Sequence, residues 1–586
     1  MFKILKNLEK KDLLIILVVA ILVIGSVFLD LKLPEYMSEI TKLVQTEDST
    51  MKEVLNAGGM MLLCAVFSLI CTVIVGYFTS LLAANFSKNV RRKIFEKVES
   101  FGISEMKEFS TASLITRTTN DVSQVEMLLA MGLQLIIKAP VMAVWALLKI
   151  LGKSKELSLV TGIGVIIVVI TNLFIMKIVT PRFKKIQTLT DKINGVTRES
   201  ITGIRVISAF NAEKFQEKRF DNVNKDLTNT HLEITKTFAI MDPVMNFVMH
   251  FQHLGIYAVG AYLIVNSTMI DKINIFSNMV VFSSYGIQVI FSFLMLTMIF
   301  MFLPRAIVSA KRINEVLDSD ISVISGNFNG KTNETGTIEF KNVSFKYPDA
   351  DEYLLKNISF KVEKGEVVAF IGSTGSGKST LINLVPRMYD VTEGEIFVDG
   401  VNVKDYDLHE LNNKIGYVSQ KAVIFTGTVE ENVAYGNKNG VKPSLEKIKE
   451  AIKIAQAKDF VEDMDKQYKS KIARGGTNIS GGQKQRLSIA RAIAKDPEIY
   501  IFDDSFSALD YTTDASLREE LKKYTKDTTS LIVAQRIGTI MNANKIVVLD
   551  KGKCVGIGTH SELIKTCKVY KEIALSQLSE EELMDA

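Results

Sequence analysis

Cysteine, histidine and net charge are all scarce in this sequence. Four cysteines and five histidines among 586 residues are thin material for a disulfide framework or a metal cluster. Cys64 and Cys71 fall in an apolar stretch and Cys554 and Cys567 in a distant polar one, with no C-x-x-C spacing between any of them. Four unpaired thiols in a reducing setting are therefore expected. The net charge is only +5, and no long Lys/Arg block with interleaved aromatics occurs, so a nucleic-acid partner lacks electrostatic support. The basic start MFKILKNLEKKDLL runs into apolar sequence without a small-residue cleavage site, and reads as a retained first helix.

What is abundant is apolar sequence, and it is unevenly placed. The chain is 47% hydrophobic yet 23% charged, and it is too long for one core, so a membrane part joined to a soluble part is expected. Six apolar stretches precede residue 305: Leu13 to Leu33, Ala57 to Ala84, Met127 to Leu151, Leu157 to Val179, Phe238 to Val265 and Ile275 to Leu303. The second carries no charged side chain, whereas Lys138 interrupts the third. Lys and Arg collect at alternate ends, at Lys3 to Lys11, Lys88 to Lys97, Arg182 to Lys192 and Arg305 to Arg312. The opposite connections are short or hold Glu35, Glu39, Glu47 and Asp48. This asymmetry places both termini in the cytoplasm. The two long cytoplasmic connections, about 85–126 and 180–237, show helical periodicity, so several helices should project beyond the bilayer. The division expected is a transmembrane domain over 1–318, a polar linker over 319–336 and an α/β domain over 337–586. In the last, strand-like runs such as VVAFIG, IYIFDD and KIVVLD alternate with helical stretches, the pattern of a largely parallel sheet.

The segment VVAFIGSTGSGKST puts a G-x-x-x-x-G-K-S pattern between a buried strand and a helix start. Its residues Gly372, Ser373, Thr374, Gly375, Ser376, Gly377, Lys378, Ser379 and Thr380 are candidates to cradle phosphate. Backbone N–H groups and a helix N-terminus favour anions, Lys378 reaches the β and γ phosphates, and Ser379 is placed to hold Mg2+. The strand IYIF delivers Asp503 as a second magnesium ligand and Asp504 to the position where such ATPases keep a carboxylate for the attacking water.

The segment NISGGQKQR, ahead of that strand, resembles the signature of ABC ATPases, and the whole chain resembles an ABC exporter half-transporter. LITRTTNDVSQVEMLL, RESITGIRVISAFNAEKFQEKRF and SAKRINEVLD resemble its cytoplasmic-loop and exit-helix segments. The resemblance implies a six-helix exporter fold fused to an ABC-type P-loop domain, with ATP and Mg2+ as ligands. By the same resemblance, Tyr347 would stack on adenine and Gln420 would sense magnesium and γ-phosphate. Ser480, Gly481, Gly482 and Gln483 would close over the nucleotide of a second subunit, and the Ser507 to Asp510 loop would communicate across that dimer.

Departures from the pattern are as informative as the matches. Asp504 stands where the family has glutamate and Gln535 where it has histidine. Aspartate retracts the carboxylate by about one bond, and a shift of about 1 Å costs on the order of 100-fold in rate. Glutamine hydrogen-bonds phosphate but cannot accept and return a proton as imidazole does. Arg474, where the family has an acid, adds a third departure. The expectation is the degenerate-site subunit of a heterodimeric, multidrug-type exporter in the plasma membrane, moving hydrophobic or amphipathic compounds. A homodimeric lipid or peptide exporter and a nucleotide-sensing regulator that does not pump are the alternatives, and the absence of a peptidase-like stretch before the first span weakens the peptide version. Asp242, Asn246, His250 and His253 in the fifth span, and Ser284, Gln288 and Ser292 in the sixth, recur at helical spacing. They are candidates for a cargo path or for interhelical hydrogen bonds. Lys138 needs the cavity or a carboxylate, with Asp242 one possibility.

Overall fold

The computed structural model describes residues 2–6, 8–46, 49–151, 153–435 and 440–578. Glu47, Asp48 and the end of the expected α/β domain from 579 lie outside them. Two compact units result: residues 1–99 with 111–318, and residues 100–110 with 319–586.

The first unit is helical because apolar sequence of this length must satisfy every backbone group internally once it enters hydrocarbon. Among the described residues, six helices are long and apolar enough to cross a membrane: Lys10–Gln45, Met51–Glu99, Thr111–Leu151, Lys155–Thr202, Glu213–Val265 and Asp271–Asp318. The second has 49 residues, which at 1.5 Å per residue exceeds twice a ~30 Å hydrocarbon core. Its charged portion after Ala84 therefore continues as helix in polar surroundings, as its periodicity predicts. The third span is locally widened, with π-helical turns at Arg117–Asp121 and Leu128–Gly132. Val27, Leu31, Met142, Ala146, Ile256, Phe282, Tyr285 and Val289 form a core shared by the first, third, fifth and sixth spans. Gln252 is buried there against Gly286, where an added Cβ would fall 1.6 Å from Gln252 Nε2.

Among the described residues, the second unit is built on two main sheets, with a small two-stranded pairing of Gly427–Thr428 and Lys471–Ile472 beside them. An antiparallel sheet orders β2 (Leu355–Val362), β1 (Ile338–Phe345), β4 (Glu393–Val398) and β5 (Val401–Asn402). The larger sheet runs β10 (Lys553–Gly558), β9 (Lys545–Asp550), β3 (Val367–Gly372), β8 (Thr529–Val533), β7 (Ile499–Asp503) and β6 (Ile415–Val418). Every pairing in it is parallel except β9 with β10. Its inner strands, buried on both faces, read as continuous apolar runs, whereas the edge strand β10 is largely exposed. Val533 pairs with both Phe370 and Asp503, so β3, β8 and β7 end together, and ligands of open α/β sheets sit at such carboxyl ends.

Two segments behave differently from their sequence appearance. The stretch expected as a polar linker is hydrogen-bonded to the α/β unit, with Gly326 N–H donating to Tyr406 O at 2.8 Å and Phe328 N–H to Asp405 O at 2.8 Å. The Phe328 ring packs edge-on to Tyr406, which a purely polar reading of the stretch overlooks. Residues 100–110, between the second and third spans, also group with this unit. Glu105 anchors them, accepting from Gly102 N–H at 2.8 Å and Ser322 N–H at 3.0 Å.

Candidate nucleotide site

The phosphate cradle forms where β3 ends and the Lys378–Asn383 helix begins. Gly377 has φ +95°, and a Cβ there would meet Leu355 at 2.6 Å, so the turn demands glycine. At Gly372 a Cβ would lie 2.0 Å from the Leu549 carbonyl of β9. Lys378 Nζ donates to Gly372 O and Ser373 O, both at 2.9 Å, leaving one of its three N–H groups for a ligand. Ser376 Oγ is buried and unpartnered among the described residues, which suits a loop shaped around a polar ligand.

The adjoining strand brings the carboxylates. Ser379 Oγ donates to Asp503 Oδ1 at 2.6 Å, and Tyr417 OH to Asp503 Oδ2 at 3.5 Å. Burial pushes the Asp503 carboxyl above its ordinary range; the Ser379 hydrogen bond opposes this, and the neighbouring Asp504 charge adds to it. Burial pulls the Lys378 ammonium below its ordinary value, with the two aspartates opposing. A hydroxyl beside a buried carboxylate is a hard oxygen pair of the kind that suits Mg2+.

Asp504 lies just past the strand, buried, in the left-handed region at φ +46°, a conformation aspartate tolerates better than most residues. Its N–H donates to Val533 O at 3.1 Å. Its Oδ2 accepts from two amides, Gln420 Nε2 at 3.0 Å and Gln535 Nε2 at 2.8 Å. A carboxylate only accepts, so each glutamine must present its nitrogen. Two of the three expected departures, Asp504 and Gln535, thus meet in one hydrogen bond, joined by Gln420. Gln577, which the sequence reading missed, holds this corner: Nε2 donates to Gln535 O at 2.8 Å and Oε1 accepts from Ile537 N–H at 2.9 Å. Only a contact across 42 residues reveals it.

Tyr347 stands beside the cradle, its hydroxyl 2.8 Å from Thr380 Oγ1 and its ring edge-on to Phe345 and Tyr389. Lys107 Nζ lies over the Tyr347 ring, 4.4 Å from its centroid, a cation-π contact that sequence reasoning did not find. Ser480, Gly481, Gly482 and Gln483 lie apart from the cradle. They start the Gly481–Lys495 helix, which packs in a different core cluster from β3 and the cradle helix. Ser480 Oγ accepts from Gln483 N–H at 3.3 Å while Gln483 Oε1 accepts from Ser480 N–H at 2.9 Å, a reciprocal cap. The glycine N–H groups at this N-terminus are open to an anion.

In the membrane unit, Lys138 pairs with Asp30 Oδ2 at 3.2 Å and not with Asp242. Ser68 also donates to Asp30, at 2.5 Å. Asp30 lies in the last turns of the first apolar stretch, and a carboxylate inside such a stretch was the available signal. Asp242, Asn246 and His250 are exposed on the fifth-span helix, and His253 is half-buried with Nε2 unpartnered among the described residues.

A helical unit with six spans joined to a P-loop domain whose strand ends carry Asp503 and Asp504 defines an ATP-driven membrane transporter. Residues 355–507 match the ABC transporter family model and residues 14–302 match the ABC transporter transmembrane region. An uncharacterised ABC transporter ATP-binding protein of Mycobacterium tuberculosis is 35% identical, covering 89% of each chain. An ATP-dependent lipid A-core flippase of Pasteurella multocida is 33% identical over 86% of this chain and 85% of its own. The structure of a bacterial Atm1-family ABC exporter with ATP bound superposes with a TM-score of 0.81 at 22% identity, covering 97% of this chain and all of the other. The chain belongs to the ABC transporter family, as an exporter half-transporter with a six-span membrane domain fused to an ATP-binding domain. It binds ATP and couples ATP hydrolysis to export.

Proposed function

We propose that this chain is one half of a heterodimeric exporter: its own pocket binds ATP and turns it over slowly, and Ser480 to Gln483 close over ATP on a catalytically complete partner. The observation that carries this reading is the double amide contact on Asp504 Oδ2. Hydrolysis needs a carboxylate aimed at the attacking water and a group to take up the proton. Here the carboxylate is one methylene short, one of its oxygens already accepts from two amides, and Gln535 has no titratable nitrogen. Binding is unimpaired by these features, since Lys378, the cradle N–H groups and Tyr347 hold the phosphates and the base. Ser379, Asp503 and Gln420 would hold Mg2+, which when bound neutralises phosphate charge.

The exposed stripe of Asp242, Asn246 and His250 supports a partner or a water-filled path beside the fifth span, because lipid would penalise these groups. Both termini and the ATP-binding domain lie in the cytoplasm and the spans in the plasma membrane, as the Lys/Arg asymmetry indicates. Cargo is hydrophobic or amphipathic; the relative named as a lipid A-core flippase supports a lipid-like member of that class. Nucleotide that binds the closed pair more tightly than the open pair shifts the helices between inward- and outward-facing states. The test is the ATPase rate of the purified chain, unaltered and as Asp504→Glu with Gln535→His. The reading expects slow turnover that rises on the order of 100-fold in the double variant; brisk turnover by the unaltered chain would instead identify a homodimeric exporter.

A further inference from the structure

The helical unit has a cationic, aromatic corner that nucleotide chemistry leaves without a role. Lys32 Nζ lies 2.6 Å from Glu35 Oε2, and Lys149 Nζ lies 2.8 Å from Glu35 Oε1. One carboxylate is shared by two ammonium groups, so the trio retains a net positive charge. Lys32 Nζ also lies 5.7 Å from the Phe28 ring centroid, and the Phe28 ring is 5.6 Å from that of Trp145. Trp145 precedes Lys149 by one helical turn, so the two are neighbours on the third-span helix. Beside Trp145 that helix carries a shallow, open apolar groove along its own surface, lined by Pro140, Val141, Val144, Trp145 and Leu148. Lys149 stands two residues before the end of the helix at Leu151, whereas the groove runs back toward the middle of the span.

Surplus positive charge at a span end, an adjacent tryptophan and an apolar groove leading inward match a ligand with an anionic head and a hydrocarbon tail. We propose that this corner binds an anionic phospholipid of the bilayer, its phosphate bridging Lys32 and Lys149 and a chain following the groove past Trp145. A zwitterionic lipid brings its own cation to a corner already in cationic excess, so charge complementarity selects the anionic one. The site stands independently of the catalytic asymmetry proposed above.

Trp145 is the sole tryptophan in the chain, so the site reports on itself. The full-length chain is reconstituted in phosphatidylcholine nanodiscs containing a fixed fraction of either brominated phosphatidylglycerol or brominated phosphatidylcholine, and quenching of Trp145 is recorded. Brominated phosphatidylglycerol is expected to quench at a several-fold lower mole fraction, because each basic side chain near an anionic lipid is worth about fivefold in occupancy. Lys149→Gln should reduce the preference about fivefold, and Lys32→Gln with Lys149→Gln should abolish it, whereas Lys88→Gln should leave it intact. Equal quenching by the two lipids in the unaltered chain, a comparison that needs no variant to fold, means ordinary lipid contact and overturns the proposal. A preference that survives the double substitution overturns it too.

Discussion

Asp504 and Gln535 act as one unit: Gln535 Nε2 lies 2.8 Å from Asp504 Oδ2, and Gln420 fills the other side of the same oxygen. Changing either alone leaves the other in a mismatched pocket, so Asp504→Glu and Gln535→His should be strongly non-additive in ATPase rate. A double-mutant cycle checks this, and two independent small gains would contradict it. Asp503 gives a pH signature. Its carboxyl is raised mainly by burial, so the protonated form is favoured in the folded state. The stability it contributes is present below the unfolded value and is lost as pH rises through the folded one. Cation binding needs the ionised form, so Mg2+-dependent ATP affinity should begin to fall, on acidification, at a pH above the ordinary aspartate range. Calorimetric titration from neutral to mildly acidic pH measures it, and an affinity flat across that span would contradict it. In the membrane unit, Lys138→Ala strands Asp30, at a cost on the order of 2 kcal/mol given the partial exposure of both groups. Adding Asp30→Asn should recover most of the lost thermal stability.

Sequence legibility differed by element for physical reasons. The cradle was readable because a tight phosphate-binding turn tolerates few residues at Gly372 and Gly377, and the inner strands of the larger sheet because burial on both faces demands unbroken apolar runs. Contacts that close over long separations left no local trace in Gln577 on Gln535 and Lys107 over Tyr347, whereas the partner of Lys138 left one, a carboxylate inside the first apolar stretch. The stretch 319–336 reads as a polar linker because its composition hides the one ring, Phe328, that packs against Tyr406. Packing between the fifth and sixth spans gives an element-level prediction. Gly286→Ala pushes a methyl group into Gln252 and should cost about 1–3 kcal/mol of thermal stability. Gln252→Ala in the same chain should relieve it, and failure to do so would place the constraint elsewhere.

At the scale of the whole molecule, the cradle and the signature helix occupy separate clusters of the α/β unit. On the proposed reading, a cradle whose carboxylate is short and a signature open to anions divide hydrolysis and binding between two subunits. The exposed stripe of Asp242, Asn246 and His250 is a polar face on a membrane helix, which needs protein or water beside it. The most direct measurement is ATP turnover by the assembled transporter carrying Asp504→Asn in this chain. Turnover close to that of the unaltered assembly is the predicted result, because the partner's pocket performs the cleavage; loss of nearly all turnover would show that Asp504 is itself the working catalytic carboxylate.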